Sequence, residues 1–298
     1  MPDASNGQGG VQGITVVVPT YNCAHLLAMT LESLADQALD KARYEVIVVD
    51  DGSSDNTVAV VDAYRGRIDV HFRFQEDRGF RAAAARNLGM NQAKFQVILF
   101  LDAGMLVSSR TLALHVAAHR SLLPSAIIGL SYGVFEYTTD HADLLRKLTT
   151  FPVDASLQRM RSHTRLRDCR EGFMRRIGFD LSRMSNPWLV FWSGHISVST
   201  GTARSLGGFD EWFDTWGGED VEFGLRWWKA GWPMSVLPTI ESVHYPHAKD
   251  EAAKRASSRR NLAYIHEKHR CRDVERLMSE NWEEVATTNV TARPSSCG

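Results

Sequence analysis

The sequence predicts an α/β protein built on a doubly wound, mostly parallel sheet. Three observations predict it. Short runs of β-branched and aliphatic residues recur through the first half of the chain, as buried parallel strands do. Segments with helical spacing of apolar residues separate them, the βαβα rhythm that covers both faces of such a sheet. Several of the runs end directly in acidic or polar side chains, at the place where open α/β sheets bind ligands.

The first strand is Ile14 to Val18, running into Pro19-Thr20-Tyr21-Asn22. Residues 23–39 then carry Leu27, Leu31 and Leu34 on one helical face. The second strand, Tyr44 to Val49, runs into Asp50-Asp51-Gly52-Ser53-Ser54-Asp55. Asp55 is placed to cap a helix carrying Val58, Val61 and Tyr64. Asp69 to Phe74 alternates like a strand, Gly79 to Ala93 is Ala-rich and helical, and Val97 to Leu101 is a buried strand ending at Asp102. A helix over Thr111–Leu122 and a strand over Ala126–Phe135 follow. From Asp140 to Pro187 the pattern loosens and seven arginines crowd between Arg159 and Arg176. Helices and loops covering a site or an acceptor groove are expected there. Trp192 to Thr200 is regular again. A helix from Asp220 to Ala230 is closed by Gly231. Strands near Met234–Leu237 and Ile240–Val243 and a helical tail from Asp250 to about Ser279 complete the pattern. Met1 to Gly13, polar and Gly-rich, reads as a disordered leader, and the last residues as disordered too.

Bulk properties exclude several classes. The 298 residues have 44% hydrophobic and 23% charged content and a net charge of -1, so no basic field argues for nucleic acid. No apolar run approaches the roughly 18 residues that span a bilayer, and no secretory signal opens the chain. The four cysteines are far apart without Cys-x-x-Cys, so neither a zinc site nor a disulfide framework is expected, and a reducing, cytoplasmic setting is. Lys254, Arg255, Arg259 and Arg260 form a basic helix face. It reads as solvated, with peripheral contact to an anionic membrane as the other option.

Asp50 and Asp51 are the sharpest chemical signal. Asp-Gly-Ser-Ser-Asp is good turn chemistry, which accounts for Asp55. It does not account for two carboxylates directly after four apolar strand residues, where unbound charge is expensive. A carboxylate there can accept hydrogen bonds from a nucleoside base or ribose. A dinucleotide fold would place Gly-x-Gly-x-x-Gly after the first strand, and this chain places Pro-Thr-Tyr-Asn there, so hydride transfer is disfavoured. Asp102 is a third acid at a strand end. Trp216-Gly217-Gly218-Glu219-Asp220-Val221-Glu222 is the second strong segment. Acids in the first turn of a helix complement its dipole, but that does not explain the Trp-Gly-Gly hinge before them, and a carboxylate so placed can serve as a general base. Seven of the eight tryptophans lie between Trp188 and Trp232. Most belong in the core, while Trp212 and Trp216 flank loops and can stack on sugar rings. In His244-Tyr245-Pro246-His247, two histidines three apart can bind a metal with Asp102, or be plain loop residues.

These motifs resemble glycosyltransferase family 2: Val17 to Asn22, Val48 to Asp55, Ala85-Arg86-Asn87-Leu88-Gly89, and Phe100-Leu101-Asp102. The run from Gly207-Gly208-Phe209-Asp210 through Asp220 resembles the C-terminal part of galactosyltransferase and chondroitin-polymerase-type enzymes. The resemblance covers roughly residues 14 to 248. It implies a GT-A fold, with a nucleotide-binding part at about 14–135, an acceptor-binding part at about 136–248, and a helical extension and tail at 249–298. The implied activity is inverting transfer of a hexose or N-acetylhexosamine from a nucleotide-sugar, usually a UDP-sugar, to an acceptor hydroxyl.

The resemblance also implies roles. Pro19, Thr20, Tyr21 and Asn22 line the nucleotide, Asp51 accepts from the uracil N3–H, and Asp50 supports that loop. Arg86 braces the nucleotide-binding acids. Asp102 and Ala103 stand where the Asp-x-Asp motif begins, near ribose and metal. Asp220 is the catalytic base, with Glu219 beside it, and Trp212, Trp216, Gly217 and Gly218 meet the acceptor or sugar. His244, with His247 as second choice, joins Asp102 at a divalent cation, Mn²⁺ or Mg²⁺. The second acid of Asp-x-Asp is replaced by Gly104, which leaves weaker metal binding or metal independence open, with Arg81 or an arginine of the middle region as a neutraliser of the diphosphate. The acceptor can be a glycan, a lipid-linked sugar, a peptide or a small molecule. The competing readings are a nucleotidyltransferase and a nucleotide-sugar-binding module that has lost catalysis.

Overall fold

The computed structural model describes residues 11–122, 124–133, 139–247 and 251–287. Most of the expected leader, the end of the strand predicted to Phe135, and the chain from 288 onward lie outside the described residues. In chain order the elements are β1 (Ile14–Thr20), α1 (Ala24–Ala35), β2 (Tyr44–Asp50), α2 (Thr57–Tyr64), β3 (Val70–Phe74), α3 (Ala82–Gln92), β4 (Val97–Leu101), β5 (Met105–Val107), α4 (Thr111–Leu122) and β6 (Ala126–Tyr132). They continue with α5 (Thr139–Leu148), α6 (Val153–Met160), α7 (Glu171–Arg176), β7 (His195–Ser199), α8 (Thr200–Ser205), α9 (Glu219–Lys229), β8 (Met234–His244), α10 (Glu251–His269), α11 (Arg272–Arg276) and α12 (Trp282–Thr287).

One eight-stranded sheet runs in the order β3-β2-β1-β4-β7-β6-β8-β5. The β3-β2-β1-β4 half is parallel throughout. Beyond it β7 is antiparallel to both β4 and β6, and β5 to β8. The sheet is therefore mixed, with its parallel character concentrated where the βαβα pattern was strongest. Successive residues of β1 serve opposite faces. Val17 packs with Ile47, Ile98 and Phe100, whereas Val16 and Val18 pack with Leu27, Leu31 and Leu34 of α1. Coverage of both faces is why these strands read as unbroken apolar runs.

Several expectations need correction. The two short strands near residues 234–243 are one strand, β8, whose register with β6 skips between Ile128 and Leu130. Pro238 stands inside that skip and has no N–H to give a ladder. Asp55 is not the N-cap of α2: Asn56 is. The Asp55 carboxylate accepts from Thr57 N (3.1 Å) and also from Ala24 N (2.8 Å), so it ties α2 to the start of α1. The helical tail breaks into α10, α11 and α12. Cys271, fully buried, is disulfide-bonded, contrary to the reading of all cysteines as reduced, while Cys23 and Cys169 are free. No helix among the described residues is long and apolar enough to cross a membrane.

The Ala-Arg-Asn-Leu-Gly run is explained by how α3 lies on β1. A Cβ on Gly89 would come within 2.4 Å of Val17 Cγ1, so only glycine lets this helix approach. Gly89→Ala should overpack the contact and destabilise the protein by about 1–3 kcal/mol. A drop of several degrees in the unfolding midpoint is the expected reading, and an unchanged midpoint would show that the helix can simply shift.

Three buried histidines line the middle of the sheet. His119 Nε2 meets Ser197 Oγ at 2.8 Å, Ser197 Oγ meets His115 Nδ1 at 2.7 Å, and His115 Nε2 meets His195 Nε2 at 3.2 Å. His195 Nδ1 continues to Ser242 Oγ (2.8 Å), which bonds Ser131 Oγ (2.6 Å). Burial lowers all three, His119 to about 4 and His195 to about 3. A folded-state histidine held neutral contributes stability that is present above its unfolded value near 6.5 and is lost as pH falls below it. Each should remove up to about 1.4 kcal/mol per pH unit in that window. Thermal unfolding across pH 7 to 4 should show a steep acid decline, made shallower by His119→Gln. An identical slope in that variant would contradict the assignment.

Candidate active site

The carboxyl ends of β2, β1 and β4 lie side by side, because Thr20 pairs with Asp50 and β1 also pairs with β4. Asp50 is buried and accepts from Ser53 N (2.9 Å), which closes the turn after β2. Asp51 N donates to Thr20 O (2.9 Å). The buried Asp51 carboxylate accepts from Gln75 Nε2 (2.6 Å) and from Arg81 N (2.8 Å). The Arg81 guanidinium lies 3.6 Å from it. Each carboxylate oxygen can accept more than one bond, so Asp51 is fixed in place yet still able to accept from a ligand. Gln75, which follows an alternating strand with no motif around it, carried no signal in the sequence. Tyr21 is 48% exposed and donates to Asp77 Oδ2 (2.9 Å). Asn22 Oδ1 accepts from Ser54 N (2.9 Å) and so joins the two strand-end loops. Thr20 Oγ1 turns to Cys23 Sγ (3.2 Å).

Helix α3 links this group to the next. Arg81 stands at its N-cap and Arg86 five residues on, about 7.5 Å along the axis at the usual helical rise. Arg86, 4% exposed, donates to Asp102 Oδ1 (2.8 Å) and to Glu219 Oε1 (2.9 Å). Asn87 anchors the same region, since its side chain exchanges hydrogen bonds with Phe209 N and Phe209 O, both 2.8 Å. Thus Arg86-Asn87 pins the Gly207-Gly208-Phe209-Asp210 turn and the acids after it to α3.

Glu219 and Asp220 open α9 because the two residues before them have left-handed backbones, Gly217 at φ 90° and Gly218 at φ 97°. That is the physical content of the Trp-Gly-Gly hinge. Asp220 Oδ2 accepts from Ser193 N (3.3 Å), and Oδ1 from Val221 N (2.7 Å). Its carboxyl is raised to about 7, by loss of water and then by the neighbouring Glu219. Glu219 Oε2 is buried without a hydrogen-bond partner. Glu222 has a different job. Burial alone would raise it, but hydrogen bonds from His269, Arg226 and Lys268 outweigh that and hold it at about 2.

The Trp192-Ser193-Gly194 loop, singled out by nothing in the sequence, lies between two of these acids. Gly194 O accepts from Asp102 N (3.2 Å), and Ser193 N reaches Asp220. Behind the loop, the buried Arg170 pairs with Asp168 (2.7 Å) and lies 4.2 Å from the Trp192 ring centre. Other members of the arginine-rich stretch also form ion pairs, Arg175 with nearby Glu171 and Arg161 with the distant Glu241.

Both expected aromatics are exposed, Trp216 at 51% and Trp212 at 38%, and Trp212 also stacks on Tyr264 with ring centres 3.7 Å apart. Trp188 and Trp227 are core.

The expected metal residues lie on neighbouring segments. His244 ends β8 opposite Met105, and Tyr245 N donates to Gly104 O (2.9 Å), which brings the histidine segment to the loop that begins at Asp102 and Ala103. The His244 and His247 rings are 5.1 Å apart. Arg86 occupies Asp102 Oδ1, while the Asp102 side chain is 41% exposed. The Arg86 guanidinium meets two carboxylates, Asp102 and Glu219, an excess of negative charge that suits a cation. Gly104 has φ 93°, so the missing second acid goes with a backbone bend that an aspartate would strain. A separate group, Glu45, Asp69 and His71, has ligand atoms within 4.8 Å. It sits at the opposite ends of the strands, where Lys94 Nζ already pairs with Asp69 (2.6 Å).

Residues 15–177 match Glycosyl transferase family 2, and residues 175–250 match the N-terminal domain of galactosyltransferase. The chain is 37% identical over 257 residues to validoxylamine A glucosyltransferase of Streptomyces hygroscopicus subsp. jinggangensis, across 86% of this chain and 61% of that protein. It is 31% identical to hyaluronan synthase of Pasteurella multocida, across 86% of this chain and 27% of that one. It therefore spans about three-fifths of the first relative and about a quarter of the second. Among solved structures, S. aureus TarS 1-349 in complex with UDP-GlcNAc superposes with a TM-score of 0.60 at 18% identity, over 85% of this chain and 66% of that one. The mannosyltransferase PcManGT from Pyrobaculum calidifontis, in complex with GDP-Man and Mn²⁺, gives 0.58 at 19% identity, over 88% and 64%. These structural likenesses establish the GT-A fold.

Proposed function

The chain belongs to glycosyl transferase family 2, and from that premise we propose that it transfers a hexose or N-acetylhexosamine from a UDP-sugar to an acceptor hydroxyl with inversion. The observation that carries this reading is Arg86, which holds Asp102 and Glu219 from one buried position (2.8 and 2.9 Å), with Asp220 next in the chain. Glucose is the first sugar to test, because the 37% identical relative is named for glucosyl transfer. The catalytic unit in this reading has a nucleotide part at about 14–135 and an acceptor part at about 136–248.

In this mechanism the fixed Asp51 accepts from the uracil N3–H, and Pro19, Thr20, Tyr21 and Asn22 border the base. Asp102 and Ala103 lie toward the ribose and diphosphate. Asp102 and His244 would hold Mn²⁺ or Mg²⁺, and a hard cation that also binds phosphate oxygens needs few protein ligands. When bound, the cation supplies positive charge for the departing diphosphate. Asp220 takes the proton from the acceptor hydroxyl, whose oxygen attacks the anomeric carbon opposite the nucleotide. Its raised carboxyl makes it a stronger base than an ordinary aspartate once ionised. The Ser193 N–H aims the carboxylate, Glu219 faces the donor or acceptor sugar, and the exposed Trp216 offers a ring face to the acceptor.

A titration of UDP-glucose, UDP-N-acetylglucosamine and a GDP-sugar, with and without Mn²⁺, tests the reading. Ligand at about 100 times its Kd should add about 2.7 kcal/mol of apparent stability. UDP-sugars should raise the unfolding midpoint and then be consumed with release of UDP. Binding without release would favour the binding module, and pyrophosphate from a nucleoside triphosphate would favour nucleotidyl transfer.

A further inference from the structure

Helix α10 lies past both matched segments, which end at residue 250, and its sequence carries no catalytic motif. Yet one face of it is built against the turn from which Glu219 and Asp220 emerge. Ser257, Asn261, Ile265 and Lys268 recur at helical spacing, so they share that face. Asn261 is 1% exposed. Its Nδ2 donates to Gly217 O at 2.6 Å, with Trp216 O at 3.2 Å and Thr215 O at 3.4 Å. Its Oδ1 accepts from Thr215 Oγ1 at 3.2 Å, which fixes the amide the right way round. Ser257 Oγ adds a second bond to Trp216 O (3.0 Å). A Cβ on Gly218 would meet Ile265 Cδ1 at 3.3 Å and Asn261 Cβ at 3.4 Å, so the left-handed turn is also closed by packing.

An amide nitrogen has two hydrogens, and here three successive carbonyls converge on them. Those carbonyls belong to the residues that lead directly into the left-handed Gly217-Gly218 pair. Without the amide Gly217 O and Thr215 O would lose the side-chain donor they have here, Trp216 O would keep only Ser257 Oγ, and the turn would relax to find others. The direction in which α9 starts, and with it the Asp220 side chain, follows from that turn. We propose that Asn261 is a positioning residue for catalysis, and that α10 is part of the catalytic unit rather than an appended tail. This rests on Asp220 as the base.

The test uses the full chain as Asn261→Asp, Asn261→Ala and Thr215→Val, with Asp220→Asn measured alongside. The readouts are kcat, donor KM, the pH profile of kcat, UDP affinity and the unfolding midpoint. Misplacing a catalytic group by about 1 Å lowers turnover by roughly 10²-fold, and that is the expected fall in kcat for Asn261→Asp, with UDP affinity retained. The acid limb of the profile should move in opposite directions in the two Asn261 variants: up for Asp, which adds a negative charge near Asp220, and down for Ala, which admits water. If the Asp variant does not fold, Thr215→Val, which keeps Asn261 and removes only the bond that orients it, should still lower kcat and shift the limb. Normal kcat with an unmoved limb in the folded variants would overturn the proposal. So would parallel loss of UDP affinity and stability without a shift. Near-normal turnover in Asp220→Asn would instead overturn the underlying reading of the base.

Discussion

Asp220→Asn is expected to lower turnover by about 10²–10⁴-fold, the usual contribution of a general base, while UDP affinity stays near that of the unaltered protein. Asn keeps the shape, and its one carbonyl oxygen can still accept from Val221 N or from Ser193 N, which now reach Oδ1 at 2.7 Å and Oδ2 at 3.3 Å, but it cannot take a proton. Stability separates this from unfolding. Burial and Glu219 disfavour the ionised Asp220, so a neutral amide there should leave the unfolding midpoint unchanged or raised at pH 8. The same raised carboxyl sets the pH dependence. The base works only when unprotonated, so turnover by the unaltered enzyme should fall as pH drops through about 7. Steady-state kinetics with UDP-glucose checks both. Near-normal turnover in the variant, or a rate flat down to pH 5, would remove Asp220 from the proposed role.

Arg86→Met is expected to have the second large effect, on stability and activity together. The guanidinium is buried between Asp102 and Glu219, and Glu219 has one oxygen already without a partner. Removing one member of a buried pair costs about 3–5 kcal/mol, because the other charge is left uncompensated. Chemical denaturation should show that loss. Arg86→Lys should be milder in stability, yet still poor in turnover, because a single ammonium lacks the planar fork that reaches two carboxylates at once. Full activity in the Lys variant would mean that only charge, not the bridge, matters at this position.

The parallel half of the sheet was legible because burial on both faces leaves its strands unbroken apolar runs, as Val16, Val17 and Val18 show by serving two cores. The three residues of β5 are too short to carry a pattern. The antiparallel placement of β7 is a matter of topology, on which its own residues are silent. Helices α5 to α7 were expected as helices but not placed, because they are short and amphipathic within an arginine-rich stretch. In the site, Asp51, Asp102, Glu219 and Asp220 stood out because carboxylates are out of place after apolar runs or beside paired glycines. Arg86 stood out only through the motif around it. Ser193 and Gly194 act through backbone groups, which leave no trace in residue type. Gln75 and Asn261 act through contacts 24 and 44 residues away in the chain, and no local pattern announces such a contact. The arginine cluster and the basic face of α10 were the opposite case. They were conspicuous in sequence, and several members turn out to hold structure together, Arg161 pairing with Glu241, Arg175 with Glu171, and Arg260 with Asp214 while lying over Trp212.

A single in-line displacement driven by Asp220 fixes the configuration of the product, which reports on it directly. Proton NMR of the sugar transferred from α-linked UDP-glucose, or released to water and read before mutarotation, gives the anomeric configuration. The β-anomer as first product is the predicted result. The α-anomer as first product would contradict it, because retention requires either two displacements or attack from the nucleotide face.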